Sequence, residues 1–195
     1  MKVNYLTGLA LCCLATSLLP AQPILTFESS DPHIVVGDLF DIHVYIEFDA
    51  VAETGFEAEL TSFGYDFTLS GSSSLLDISV PVSFFDPMIV PGNVQGLAFP
   101  GISDDKVLIS TFSLNALSEG DGLLAINGPV GPFGGAFYES ERINPQTGDP
   151  FFTVFEHDLI GEYSWTVDPV PEPRHVALMG IISLFALILV RRRLR

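Results

Sequence analysis

The sequence predicts an all-β protein built as a single β-sandwich, and three observations lead to that fold class. Several short segments alternate apolar and polar residues with period two, which is the pattern of strands with one buried face. Turn-forming Gly, Pro, Ser, Asn and Asp residues separate these segments. Between residues 22 and 169 no stretch keeps a helical period. Many short strands of this kind are typical of a sandwich or jelly roll.

The first half of this region holds the clearest strand patterns. Residues 24–27 and 33–36 are expected to open the sheet, and Gly37-Asp38 then forms a turn. Residues 40–48 alternate Phe, Ile, Val, Ile and Phe with polar or amphipathic residues, which predicts a half-buried strand. Residues 63–69 repeat the pattern with Phe, Tyr, Phe and Leu. Two of these strands therefore already supply much of a core.

The second half is less regular and contains two segments that read as loops. Residues 78–84 alternate, but Pro81 moves this run towards a sheet edge or a bulge. Further strands are expected at residues 107–116, 122–126, 153–155 and 163–167. Residues 87–101 and 127–150 are rich in Gly and Pro, which predicts long loops, and long loops in compact domains are often functional.

Two segments carry a resemblance to a known fold. The run Val36-Gly37-Asp38-Leu39-Phe40-Asp41-Ile42-His43-Val44 resembles the opening of bacterial cohesin-like domains. The aromatic segment 63–69, followed by Leu75-Leu76-Asp77-Ile78, is similar to the next part of such domains. The resemblance covers about the first half of residues 22–169. It implies a jelly roll of about nine strands, related to carbohydrate-binding modules.

The N-terminus has the features of a secretory signal peptide. Lys2 supplies the positive charge, residues 6–19 form an apolar core, and Ala21 offers a small residue at the cleavage position. The signal peptide is therefore expected to span residues 1–21. Both cysteines lie within it, so the exported chain is expected to contain no disulfide and no cysteine-based metal site.

The C-terminal segment combines three elements in a fixed order. Val170-Pro171-Glu172-Pro173 comes first, an apolar segment at about residues 175–190 follows, and Arg191, Arg192 and Arg193 stand in the basic end 191–195. The apolar run is short for a bilayer span of about 20 residues. The arginines are expected to stay on the cytoplasmic side of the membrane.

This order of elements closely resembles the PEP-CTERM sorting signal of Gram-negative bacteria. The resemblance covers residues 170–195 and implies that the membrane protease-transpeptidase exosortase cuts near the Pro-Glu-Pro triplet. It also implies that the domain at residues 22–169 is anchored outside the cytoplasm and then passed to the cell surface or extracellular matrix. A permanent single-pass anchor is the alternative.

The charge of the predicted domain limits its partners. Of the 24 acidic residues, 23 lie between residues 22 and 169, where only Lys106 and Arg142 oppose them, which gives a formal charge of −21. A surface of this charge repels nucleic acid and anionic membranes. It tolerates cationic partners and divalent ions.

Few residues suggest chemistry. Asp104, Asp105, Glu119 and Asp121 lie in turn-like stretches and offer oxygen ligands for calcium, although solvation of the surface explains them as well. Phe133, Phe137 and Tyr138 lie in a predicted loop, where they would stack on a sugar or partner, or else close the end of the sandwich. No nucleophile–base motif is present, so no catalytic residue is assigned and no resident cofactor is expected apart from calcium.

The sequence therefore favours a non-enzymatic, exported surface or matrix protein. Its sandwich would mediate adhesion by binding an extracellular polysaccharide or a surface protein, and exosortase and the export machinery would be further partners. The alternative is a secreted glycan-active enzyme that uses paired carboxylates, which requires a cleft with two carboxyl groups about 5–9.5 Å apart.

Overall fold

The computed structural model describes residues 23–48, 57–128 and 134–170. Every regular element in these residues is a β-strand, which confirms the all-β prediction. The strands are β1 (Ile24–Ser29), β2 (Ile34–Val35), β3 (Leu39–Glu47), β4 (Glu59–Gly71), β5 (Ser73–Ser79), β6 (Phe85–Val90), β7 (Asn93–Ile102), β8 (Lys106–Ala116), β9 (Gly120–Asn127), β10 (Gly135–Ile143), β11 (Pro150–His157) and β12 (Ile160–Asp168). The described residues thus form twelve strands, against the nine or so expected.

The predicted signal peptide at residues 1–21 and the predicted membrane segment at residues 175–190 lie outside the described residues. Within the described ranges, no helix has the length and apolar character needed to span a membrane.

The strands form two sheets. One has four strands in the order β1-β3-β8-β5. The other has the order β11-β10-β4-β9-β12-β2. In this sheet β7 pairs with the side of β4 that faces away from β10, and β6 pairs with β7. Phe63 in β4 shows this arrangement, because it lies opposite Ala136 of β10 on one side and Gly96 of β7 on the other.

The core lies between the two sheets. The alternating residues of β3, predicted to face inward, are buried: Phe40, Ile42, Val44 and Ile46. Tyr65 of β4 is fully buried, and its hydroxyl forms a short hydrogen bond with the Ser110 hydroxyl of β8 in the other sheet. The predicted strands at residues 40–48, 63–69 and 107–116 are therefore confirmed as the centre of the sandwich.

The two predicted loops are wrong, because each contains a β-hairpin. Residues 87–101 fall in the β6–β7 hairpin, and much of residues 127–150 falls in the β10–β11 hairpin. Gly96 shows why a glycine-rich stretch forms a strand here. A Cβ on Gly96 would lie 2.6 Å from the ring of Phe63, so the glycine makes room for an aromatic side chain in the core.

The predicted alternating run at residues 78–84 is corrected in its extent, whereas its expected place at a sheet edge is confirmed, because β5 is an edge strand. Strand β5 ends at Ser79, and the chain turns before β6. Phe84 is buried against Phe63, with ring centroids 4.8 Å apart, whereas Val82 is fully exposed. Pro81 lies at this break, where its missing N–H cannot continue a ladder of hydrogen bonds.

Candidate binding surface on the β10–β11 hairpin

The β10–β11 hairpin forms one end of the larger sheet, and its two strands pair regularly. Eight residue pairs, from Ala136 opposite His157 to Ile143 opposite Pro150, keep one register without a bulge. The connecting turn is closed by a hydrogen bond from the Gly148 amide to the Asn144 carbonyl oxygen, at 2.8 Å. Gly148 has a φ of +77°, which favours glycine at this position.

The inner face of the hairpin joins the core at its base. Tyr138 is only 3% exposed, and its ring centroid lies 4.5 Å from that of Phe48 and 6.2 Å from that of His157. Burial raises the pKa of the Tyr138 hydroxyl well above its ordinary value. The tyrosine therefore anchors the hairpin to the sandwich.

The position of Tyr138 agrees with the second of its two predicted alternatives, closure of the end of the sandwich, and not with an exposed contact in a loop. It lies on a strand, and its side chain closes the end of the sandwich. Phe137 is half-buried and, as the next residue on the strand, faces the opposite side of the hairpin. Phe133 lies outside the described residues. Of the three predicted aromatic contacts, Phe137 alone is placed on an outward surface of the described chain.

The surface around Phe137 combines apolar and acidic side chains. Residues directly opposite each other in an antiparallel pair share a face, so the register assigns the members of this surface. We call it the hairpin outer face, and it consists of Phe137, Glu139, Glu141, Ile143, Pro150, Phe152, Val154 and Glu156.

Three of its apolar members are more than half exposed. Ile143 is 61%, Phe152 67% and Val154 54% accessible to solvent. The glutamates alternate with them across the hairpin, because Glu139 lies opposite Val154 and Glu141 lies opposite Phe152. Contiguous exposed apolar side chains with a polar border are typical of protein interaction sites.

Most of this surface could not be read from the sequence. The exposure of Phe152 and Val154 depends on how far the hairpin projects, and their proximity to Phe137 depends on the register. The available signal was the composition of residues 150–157, in which four apolar residues stand close to Glu156 in a segment rich in β-forming residues.

The four predicted calcium ligands do not form one group. Asp104 and Asp105 immediately precede β8, whereas Glu119 and Asp121 follow it. The strand is 11 residues long, so the two pairs are separated by roughly 30 Å. No group of three or more His, Cys, Asp or Glu side chains suited to a metal occurs among the residues that the structure describes.

Each pair has its own surroundings. Asp121 accepts a hydrogen bond from the Thr166 hydroxyl at 2.9 Å, beside an open groove next to Trp165. Asp104 and Asp105 line a cavity of about 260 Å³ near the base of the hairpin, together with Glu57 and the edge of Tyr138. One predicted calcium-binding pair, Asp104 and Asp105, and one predicted aromatic contact, Tyr138, therefore line the same acidic cavity.

The sorting residues fall at the limit of the description. Val170 is the last described residue and is 58% exposed. Pro171, Glu172, Pro173, Arg191, Arg192 and Arg193 lie outside the described residues.

Comparison with solved structures identifies the architecture. A cohesin module from a family 33 glycoside hydrolase of Clostridium perfringens matches 76% of this chain and 98% of its own length, with a TM-score of 0.52 and 15% identity. The fold is cohesin-like. This confirms the cohesin-like resemblance stated from the sequence at the level of the fold.

Two further matches have lower TM-scores. A non-cellulosomal cohesin from the archaeon Archaeoglobus fulgidus covers 79% of this chain and 96% of its own, with a TM-score of 0.41 and 12% identity. A type II cohesin solved in a complex with an X-dockerin, from Acetivibrio cellulolyticus, gives a TM-score of 0.33 at 12% identity and covers 67% of this chain and 91% of its own. No protein-family model and no curated protein sequence matches the chain.

Proposed function

We propose that this chain is an exported, non-enzymatic binding module, sorted by exosortase to the cell surface or extracellular matrix, whose cohesin-like sandwich attaches to a protein partner. The observation that carries the binding role is the hairpin outer face. Ile143, Phe152 and Val154 expose apolar surface on a regular two-stranded scaffold that a buried tyrosine anchors to the core. A partner that covers exposed apolar groups of this kind removes them from water, which lowers the free energy of the complex.

The sequence supports the destination. Residues 1–21 supply an export signal, and residues 170–195 resemble the tail that exosortase recognises. A high density of acidic residues suits a soluble surface outside the cell. A permanent anchor differs from this proposal only in the fate of the C-terminal segment.

The acidic cavity favours a second candidate, a glycan-active enzyme. Glu57, Asp104 and Asp105 border the same cavity, as paired catalytic carboxylates would. All three residues are exposed, however, whereas paired catalytic carboxyl groups usually differ in environment, one of them being enclosed in an apolar pocket. The binding role is therefore the better supported of the two.

The sorting part of the proposal is tested by localisation. Replacing Pro171, Glu172 and Pro173 together by alanine is expected to leave the chain in the cytoplasmic membrane of the producing bacterium. Replacing Ile24, Leu39 and Ile160 together by alanine is the control, because these exposed apolar residues lie outside the segment 170–195 of the sequence. Equal surface delivery of both variants would contradict sorting through this motif.

The binding part is tested by photo-crosslinking on living cells. A photoreactive phenylalanine analogue at position 152 is expected to give a discrete adduct with another surface protein. The same analogue at Val82, which is fully exposed in a turn, is the matched control. An absence of adducts at position 152, or the same adducts at both positions, would contradict a binding role for the hairpin. Hydrolysis of a glycan that is lost in Glu57→Gln, Asp104→Asn or Asp105→Asn would instead favour the enzyme.

A further inference from the structure

The binding mode of the hairpin follows from a comparison of the sheet edges in the described chain. β1 pairs only with β3, through six positions, and its side chains pack on β12: Phe27 stacks on Tyr163 with centroids 5.8 Å apart, and a Cβ on Gly161 would lie 3.1 Å from the Phe27 ring. The edge at β2 is only two residues long. Both edges are therefore shorter than the edge at β11, which pairs with β10 at eight positions.

Two further edges are irregular. The register of β5 shifts between Leu75 and Asp77, and the register of β6 shifts between Phe85 and Met88. β6 also contains Pro87, which has no N–H, and Asp86, whose φ is +49°. Irregularities and prolines of this kind protect an edge from pairing with another strand.

The edge at β11 lacks these protections. Among the described residues it pairs only with β10, through eight consecutive positions without a register shift. Its one proline, Pro150, is the first residue of the strand, and no lysine or arginine lies on it. Every second backbone N–H and C=O of β11 points away from β10. A long, regular and apolar edge of this kind is a template for an added strand.

The charge of the surroundings indicates what kind of strand fits. Glu139, Glu141 and Glu156 lie on the hairpin outer face, and the side chain of a strand added to β11 would lie beside Glu156 or Phe152. The two basic residues of the domain lie elsewhere: Arg142 is on the other face of the hairpin, opposite Phe151, and Lys106 pairs with Glu28 and Glu47.

A second copy of this chain does not meet these requirements. Pairing β11 with β11 of another copy would bring two domains of formal charge −21 together, with their glutamates on one continuous sheet. Like charges on neighbouring strands are destabilising. Charge complementarity therefore favours a different, basic partner.

We propose that β11 binds its protein partner by strand addition, and that the partner supplies an extended segment in which apolar residues alternate with lysine or arginine. The inference rests on the proposed binding function and specifies how the hairpin performs it. Backbone hydrogen bonds to the edge of β11 provide affinity. The cationic side chains of the added strand lie on the outer face beside the glutamates, and its apolar side chains lie on the opposite face beside Phe151 and Phe155. The added strand extends the larger sheet by one position.

The test uses the full chain and a synthetic peptide of alternating valine and lysine, about as long as β11, followed by fluorescence anisotropy. Three control peptides separate the contributions of charge, apolar side chains and backbone hydrogen bonds. One alternates valine with glutamate, and one alternates serine with lysine. The third has the valine–lysine sequence with N-methyl groups on the backbone amides of both strand edges. The valine–lysine peptide is expected to bind best. N-methylation is expected to weaken binding at least about tenfold, because it removes several backbone donors.

Substitutions locate the site. Val154→Lys places a cation on the outer face and is expected to weaken binding of the valine–lysine peptide about fivefold or more. Val82→Lys makes the same change at a fully exposed turn residue and is expected to leave binding unchanged. Glu141→Lys is expected to reduce affinity by about two- to fivefold, whereas Glu162→Lys, on β12, is expected to have little effect.

Hydrogen exchange supplies a readout that does not depend on affinity. Bound peptide is expected to slow exchange at the β11 amides that point away from β10. Peptide binding that tolerates N-methylation, or protection from exchange that falls outside β11, would overturn strand addition. Neither result would change the crosslinking result at position 152, which tests the binding function itself. Dimerisation of the chain that Val154→Lys abolishes would overturn the choice of partner in favour of a second copy.

Discussion

Gly122→Ala is expected to destabilise the sandwich by forcing the chain's one tryptophan out of place. Gly122 of β9 lies opposite Trp165 of β12, and a Cβ there would lie 2.2 Å from Cε2 of the indole ring. The ring cannot withdraw freely. Its Nε1 donates a hydrogen bond to the Ser73 hydroxyl at 3.1 Å, and its centroid lies 5.7 Å from that of Phe40 in an edge-on contact.

The magnitude follows from these contacts. Forcing an extra methyl group into a packed region costs about 1–3 kcal/mol. Displacement of the indole from Ser73 adds about 0.5–1.5 kcal/mol for the lost hydrogen bond. We therefore expect a loss of about 1.5–4.5 kcal/mol in the free energy of unfolding. In a domain of this size that corresponds to a decrease in Tm of about 3–18 °C.

Urea denaturation of the full chain measures this effect. Trp165 is the chain's only tryptophan and is 6% exposed, so its fluorescence reports both unfolding and displacement of the ring. The same glycine substitution in a Trp165→Leu background, followed by circular dichroism, is expected to cost much less, because the smaller side chain leaves room for the methyl group. An equal cost in both backgrounds, or an unchanged emission spectrum with a loss below about 0.5 kcal/mol, would refute the reasoning.

Three other predictions concern single side chains. Tyr65→Phe is expected to lower the free energy of unfolding, measured by urea denaturation, by about 1–3 kcal/mol, because it leaves the buried Ser110 hydroxyl without its hydrogen-bond partner. Adding Ser110→Ala is expected to recover part of this loss. A double variant that recovers none of it would contradict the pairing. Burial lowers the pKa of His157, so the unfolded chain binds a proton at this residue more readily than the folded chain does. The free energy of unfolding is therefore expected to fall as the pH drops below about 6.5. A His157→Phe variant with the same pH dependence would exclude this residue as the cause. Lys106→Met is expected to change stability only slightly, because its ion pairs with two glutamates are exposed, and a large loss that persists at high salt would contradict this view.

The centre of the fold could be predicted because its strands carry their own pattern. Phe40, Ile42, Val44 and Ile46 alternate with polar residues, and period two allows one interpretation only when one face is buried and the other is wet. The aromatic positions 63, 65 and 67 in β4 were predicted on the same ground. Local sequence was sufficient for both strands.

The hairpins could not be predicted, because their glycines and prolines act through distant contacts. Gly96 fits a strand only because the Phe63 ring lies against it. Gly135, with a φ of +90°, allows β10 to begin close to the backbone of His157; a Cβ there would lie 2.5 Å from the His157 carbonyl oxygen. Composition alone favours loops at such positions.

The candidate surface was predicted in part for a related reason. Phe137 was identified from its residue type, but its neighbours Phe152 and Val154 join it only through the register of β10 with β11. The acidic residues proposed as calcium ligands show the converse. They appear similar along the sequence, yet β8 separates the two pairs.

Mass spectrometry of the protein recovered from the surface or medium of the producing bacterium tests the central claim most directly. The proposed function predicts a chain that begins at Gln22 and ends near the Pro171-Glu172-Pro173 triplet, without the apolar segment and the arginines. An exported chain that still ends in Arg195 would contradict processing by exosortase, and a chain found only in the cytoplasm would contradict export itself.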